Sequence, residues 1–241
     1  RKGRLWIRTG SGYSIYCPDT DSFDNDLEGK LWKAGISGNL SRIFIDREKT
    51  YWAYVAEEGL YRYRSGEEEA VIVPVPAERS GEAGIMNMAE CADGIVLAYW
   101  NGVLTCVDKQ NLNVRWTTDG IARDVGEEQH NVYDLFADRE GRIWIYGVTG
   151  TWVYCPATNQ WLMRAPRQGH FDVVRAVAQD KYGRIWIGHD QNGISIVEDG
   201  TTRQVLKNDP DNSRSLPNNT VTALYEDEAG TMWVGLYKKG V

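Results

Sequence analysis

Three histidines, His130, His170 and His189, are the only imidazoles in the chain. His130 and His170 stand just ahead of two segments of matching pattern, so a repeating fold can bring them together, with Glu128 and Asp172 close by. A histidine pair flanked by carboxylates is suited to acid–base work of the kind an elimination requires. The plainer reading is that a histidine at a loop mouth is a solvated surface residue. Other chemistries lack their residues. There is no nucleophile elbow and no glycine loop for phosphate. There is no Cys-x-x-Cys or His-x-x-x-His spacing for a metal. The aspartate-rich turns lack the further ligands of a calcium loop. No catalytic residue, metal or cofactor is therefore expected.

The elements that must position any site are set by a repeated phrase: Gly, one residue, an aliphatic, Trp, an aliphatic. It occurs at Gly3–Ile7, Gly141–Ile145, Gly183–Ile187 and Gly230–Val234, with degenerate copies at Lys49–Ala53 and Gly94–Ala98. The anchors are Trp6, Trp52, Leu97, Trp144, Trp186 and Trp233, at steps of 46, 45, 47, 42 and 47 residues. A period of about 40–50 residues built from short strands signals a β-propeller. One repeat reads as four strands. Val132–Asp138 alternates apolar and variable residues, and a turn and the Trp strand come next. A tight turn such as Asp190-Gln191-Asn192-Gly193 leads to Ile194–Val197, then to a more polar outer strand near Gln204–Leu206. Asp46, Asp138, Asp180 and Asp227 each stand six residues before an anchor, where an aspartate can accept backbone N–H groups in the turn and the glycine supplies positive φ. No segment shows a sustained helical period, so almost no helix is expected. The expected fold is all-β, a propeller of four-stranded blades forming one region over residues 1–241. It has about five full repeats plus partial blades and reads as a piece of a longer propeller, of seven blades, cut at both ends.

Binding positions are read from the residues that vary inside the repeat. The first strand of a propeller blade ordinarily lines the central channel. Twelve and nine residues before the anchors the chain is uniformly apolar, as at Leu40, Val132 and Val174 or Ile43, Leu135 and Val177. Ten and eleven residues before, it varies: Arg42, Asn87, Asp134 and Ala176, with Ser41, Met86, Tyr133 and Arg175. The variable set reads as channel or mouth. The candidate ligand-binding residues are Arg42, Asn87, His130, Tyr133, Asp134, His170, Asp172 and Arg175, since concave faces with converging polar groups are the default binding site. The anchor tryptophans read as packing between blades. Trp100, Trp116, Trp152 and Trp161 lie outside the anchor position and are secondary ligand candidates.

Composition narrows the partners. Net charge is −7 over 241 residues, which disfavours nucleic acid and anionic membrane. No stretch reaches the roughly 18 apolar residues of a membrane helix. Cys17 and Cys155 each sit in a Tyr-Cys-Pro triplet in different repeats, and a turn at Asn101-Gly102 sets Cys106 opposite Leu97. Four free, mostly buried thiols are the expectation.

From Ser215 through Gly235 the phrase Ser-Leu-Pro-Asn-Asn-Thr-Val, then Asp-Glu-Ala-Gly-Thr-Met-Trp-Val-Gly, resembles the two-component regulator propeller repeat. Asn208-Asp209-Pro210 matches its linker. Asp180–Gly188 with Gly193-Ile194 is a second copy, and Asp138–Ile145 a third, with Tyr146 in place of the next glycine. The resemblance implies a periplasmic, non-catalytic sensor region of a Bacteroidetes hybrid two-component system. It implies a glycan or other small-molecule ligand, usually an oligosaccharide, and further propeller and β-sandwich domains in the same chain. A homodimer is compatible with such sensors. Two readings stand beside it: an enzyme resembling the streptogramin lyases, built on the histidine pair, and a protein-interaction scaffold.

Overall fold

The structure is a computed structural model that describes residues 5–9, 12–75, 84–125, 132–148, 150–166 and 173–238. The chain divides into two compact units, Arg1–Val75 and Pro76–Val241. Both are built from antiparallel sheets in which strands follow chain order.

The first unit holds a three-stranded sheet, β1 (Leu5–Thr9), β2 (Gly12–Cys17) and β3 (Ser22–Asp24), and a four-stranded sheet, β4 (Leu40–Ile45), β5 (Thr50–Val55), β6 (Gly59–Arg64) and β7 (Val71–Val73). Helix α1 (Leu27–Lys33) joins them. Ile15, Leu31, Ile36, Ala53 and Val55 form the buried core of this unit.

The second unit has three four-stranded sheets. The first is β8 (Ile85–Cys91), β9 (Gly94–Tyr99), β10 (Leu104–Val107) and β11 (Val114–Thr118). Helix α2 (Gly120–Val125) leads to β12 (Val132–Ala137), β13 (Ile143–Gly147), β14 (Gly150–Cys155) and β15 (Gln160–Pro166). Then come β16 (Val174–Gln179), β17 (Ile185–His189), β18 (Ile194–Glu198) and β19 (Thr201–Leu206), and after them the pair β20 (Val221–Glu226) and β21 (Met232–Leu236). The first strands lie side by side in order: β8 beside β12, β12 beside β16, β16 beside β20.

The period-2 alternation explains why β13 is buried throughout. Ile143 and Ile145 point into a core shared with the preceding sheet, alongside Val96, Ala98, Leu104 and Trp152. Trp144 and Tyr146 point the other way, into a core shared with Val174, Val177, Ile185 and Ile187. This sheet is thus apolar on both faces and buries them against its two neighbours, as a blade does. The expected four-strand repeat holds, down to the polar outer strand β19, exposed along nearly its whole length. The little helix present, α1 and α2, sits at sheet-to-sheet connections.

Two sequence readings are corrected. The sheet β8–β11 is offset by one residue. Its first turn is two residues, between Cys91 and Gly94, where the second complete sheet of this unit has five, 138–142 between Ala137 and Ile143. Val96, paired with Ala89, therefore holds the place that Trp144, paired with Phe136, holds, and Leu97 faces the other side. The cysteines are also placed differently. Cys106 pairs with Val96, and Thr105 with Leu97. The cysteines are all free, but only Cys106 is buried. Cys91 Sγ approaches Cys106 Sγ at 4.0 Å. Strand β9 lies between them, so their backbones are roughly two strand spacings apart, about 9.5 Å. That exceeds the Cα span of a disulfide, about 4.4–6.8 Å.

Candidate functional site

The repeat aspartate does more than cap a turn. Trp144 Nε1 donates to Asp138 Oδ2 at 2.8 Å, and Arg142 N–H donates to Oδ1 of the same carboxylate at 2.8 Å. The same pair of bonds recurs three times: Trp52 to Asp46 at 3.1 Å, Trp186 to Asp180 at 2.9 Å and Trp233 to Asp227 at 2.8 Å, each with the backbone bond beside it. The residue three after the aspartate has positive φ, as expected, at Gly141, Gly183 and Gly230; Lys49 takes that conformation in the degenerate copy. A carboxylate bridging an indole and a tight turn is a structural clamp, which accounts for these tryptophans without a ligand.

The variable positions are explained by one backbone feature. In β4, β8, β12, β16 and β20 the register slips at the same place, between Leu40 and Arg42, Ile85 and Asn87, Val132 and Asp134, Val174 and Ala176, and Val221 and Ala223. Each first strand carries a β-bulge, which inserts an extra residue and re-aims its neighbours. Ser41, Met86, Tyr133, Arg175 and Thr222 are the inserted residues.

In the second unit the bulges join two candidates. Asn87 Nδ2 donates to Asp134 Oδ1 at 2.8 Å, from β8 to β12. Leu135 N–H donates to the same oxygen at 2.8 Å, and the Tyr146 hydroxyl bonds to the carboxylate from β13. Burial pushes the Asp134 carboxyl above the ordinary carboxylate range, although these bonds favour its charge. Burial, then the Asp134 charge, pushes the Tyr146 hydroxyl up strongly, and the Val177 N–H of β16 bonds to its oxygen. A polar thread thus crosses three successive sheets. Tyr146 stands where the copies at Trp186 and Trp233 have Gly188 and Gly235. Arg175 is exposed and donates to Asp190 Oδ2 at 2.9 Å, and His189 Nε2 lies 2.9 Å from Ser195 Oγ.

Arg42 belongs to the first unit, where Nη1 donates to the Ser41 carbonyl at 2.8 Å. His130, His170 and Asp172 lie outside the described residues, and Tyr133 is placed only as the bulge of β12. Among the secondary candidates, Trp152 is fully buried and donates to Asp124 Oδ2 at 2.9 Å. Trp116 and Trp161 both pack against Tyr154, with ring centroids 5.2 and 5.0 Å away. These three belong to the core. Trp100 is 46% exposed. Among the described residues no group of three metal-ligating side chains converges.

Two segments, residues 169–191 and 215–238, match the family described as two component regulator propeller. The matched segments contain the strands β16–β17 and β20–β21. No curated protein matches it. Its fold is similar to that of the extracellular domain of BT4673 from B. thetaiotaomicron, described as a putative one component system: TM-score 0.69, 21% identity, 97% of this chain and 30% of that one. It is similar to the extracellular domain of BT3049 from the same organism, described as a putative hybrid two component system, at TM-score 0.68, 19% identity, 98% and 31%. A third likeness is to PorZ, a surface component of the type-IX secretion system of Porphyromonas gingivalis, at TM-score 0.66, 15% identity, 98% and 38%. The chain spans about a third of the length of these proteins. The fold is an all-β propeller array.

Proposed function

We infer that this chain is part of the extracytoplasmic sensor region of a hybrid two-component regulator and that its signal is an oligosaccharide met in the periplasm. The observation that carries the reading is the coincidence of segments matching the regulator propeller family with a fold spanning nearly all of the chain and similar to extracellular domains described as those of putative hybrid two component systems. Two further facts support it. No helix among the described residues is long and apolar enough to cross a membrane. The sheet β12–β15 is buried on both faces against its neighbours, so a ligand-dependent shift in one sheet is passed to the next. Such a shift requires different affinities for two arrangements.

The test has two arms. The chain is screened by thermal denaturation against a panel of oligosaccharides. A cognate one, at 100 times its dissociation constant, adds about 2.7 kcal/mol to stability. Phosphotransfer by the complete protein is then measured with and without that compound. A panel-wide failure to raise the melting temperature overturns the oligosaccharide reading, and phosphotransfer indifferent to a bound oligosaccharide overturns the sensor reading.

A further inference from the structure

We propose that the first unit carries a binding pocket for a neutral, polyhydroxylated ring, of the pyranose type, with Trp32 as its stacking platform. Helix α1 builds it. The helix ends in a Schellman motif: Ile36 N–H donates to the Leu31 carbonyl at 2.9 Å, Gly35 N–H to that of Trp32 at 3.0 Å, and Gly35 has φ +84°. Leu31 and Ile36 meet across this turn and sit in the core with Val55. The motif therefore pins the helix end to the sheet and leaves Trp32 pointing outward, 68% exposed.

Beside it is a cavity of about 470 Å³, floored by Leu31, Ile36 and Val55 and rimmed by Trp32, Ser37 and Asn39. The volume falls within the roughly 300–1,000 Å³ of ordinary ligand pockets. An exposed indole in a folded protein is a large apolar plane left in water, and its useful partner is another flat apolar face. None of the nine lining residues is charged; glycine and leucine complete the set, and the charged groups against the lining glycines, Asp26 at Gly29 and Glu58 at Gly38, are both carboxylates. A wall with no cation offers nothing to repay the desolvation of an anionic ligand, and the two carboxylates at its edge can accept hydroxyl hydrogens. The Ser37 hydroxyl and Asn39 amide make no hydrogen bond within the described residues, and between them they both donate and accept. An apolar face ringed by groups that donate and accept at once is the surface of a pyranose. The assignment rests on the pocket alone and not on the sensory role.

The chain is labelled with 5-fluorotryptophan, and the Trp32 fluorine resonance is assigned by its loss in Trp32→Phe. Methyl glycosides of glucose, galactose, mannose, xylose and arabinose are titrated in. The expected result is saturable movement of that resonance by at least one glycoside. Calorimetry should give at least tenfold weaker binding in Trp32→Ala and in Asn39→Ala, and a loss of no more than about threefold in Trp32→Phe, with unchanged circular dichroism. A Trp32 resonance that no glycoside moves, or affinity unaltered in both alanine variants, overturns the pocket. An oligosaccharide that stabilises the chain without moving Trp32 removes the pocket and leaves the sensory reading standing.

Discussion

At the residue scale, the aspartate six positions before the tryptophan decides most. Asp138 is fully buried and holds both the Trp144 indole and the Arg142 amide. Asp138→Ala leaves a buried donor unsatisfied and opens the turn, a loss of about 2–4 kcal/mol. Asp227→Ala should cost far less, because Trp233 is 51% exposed and water replaces the carboxylate. Urea midpoints of the two variants check the difference. Proton linkage separates two kinds of carboxylate. Asp108 is pulled down to about 2 by the Asn111 and Gln110 N–H groups and by Arg115. A depressed carboxylate stabilises the fold above its unfolded pKa of 3.8, and that contribution is lost as pH falls through the folded value. Asp134 is raised by burial, so its sign is opposite: the fold binds its proton more tightly, and stability from this group grows as pH falls. Between pH 7 and pH 3, Asp134→Asn should remove a stabilising trend and Asp108→Asn a destabilising one, read as changed slopes of the midpoint against pH. The aspartate turn was legible in sequence, but its indole partner was not. A spacing of six along two strands gives no hint of contact until the register of the hairpin is known.

At the scale of elements, close approach between sheets sets the limits. A Cβ at Gly188 would lie 2.6 Å from Val221 Cγ1. Gly188→Ala must push β17 away from β20, and overpacking of this kind costs roughly 1–3 kcal/mol. Val221→Ala in the same chain should recover most of the loss, and a double-mutant cycle measures it. Val221→Ala failing to help would place the strain elsewhere. Latches add to this contact: Arg139 N–H donates to Gln179 Oε1 at 2.8 Å and Lys181 N–H to Glu226 Oε1 at 2.6 Å, each from one turn to the next sheet. The strands were legible because apolar and variable residues alternate around fixed anchors. The bulges were not, since an extra residue changes no composition. They appeared only as two adjacent variable positions where one was due. Helix α1 escaped because seven residues are too few to show a period; its one local signal was Gly35 before the apolar Ile36.

For the whole molecule, sheets that pack each on the next, as in the second unit, imply stability summed from local terms. Asp180→Ala should raise amide exchange in β16–β19 and in the adjoining β12–β15 and β20–β21. Peptides from β8–β11, one sheet further on, should keep their protection. Uniform loss across all four sheets would show a single cooperative body instead. The propeller class was legible because the period repeats through the chain, whereas the partners of the variable positions were not. Asn87 and Asp134 do meet, at 2.8 Å, but Arg175 turns to Asp190. Which partner a bulged residue finds depends on neighbouring sheets, and no spacing along one strand encodes that.

The aspartate–tryptophan clamp closes inside a single hairpin, from donor to acceptor within six positions, and asks nothing of the rest of the polypeptide. A gene segment encoding one such hairpin can be duplicated, or its connecting loops lengthened and rewritten, while the copied unit keeps its own latch. That frees the loops to diverge in pursuit of new signals. The sheet whose first turn is only two residues long has neither clamp nor anchor tryptophan, so a hairpin shortened at this point keeps its strands but gives up that internal latch.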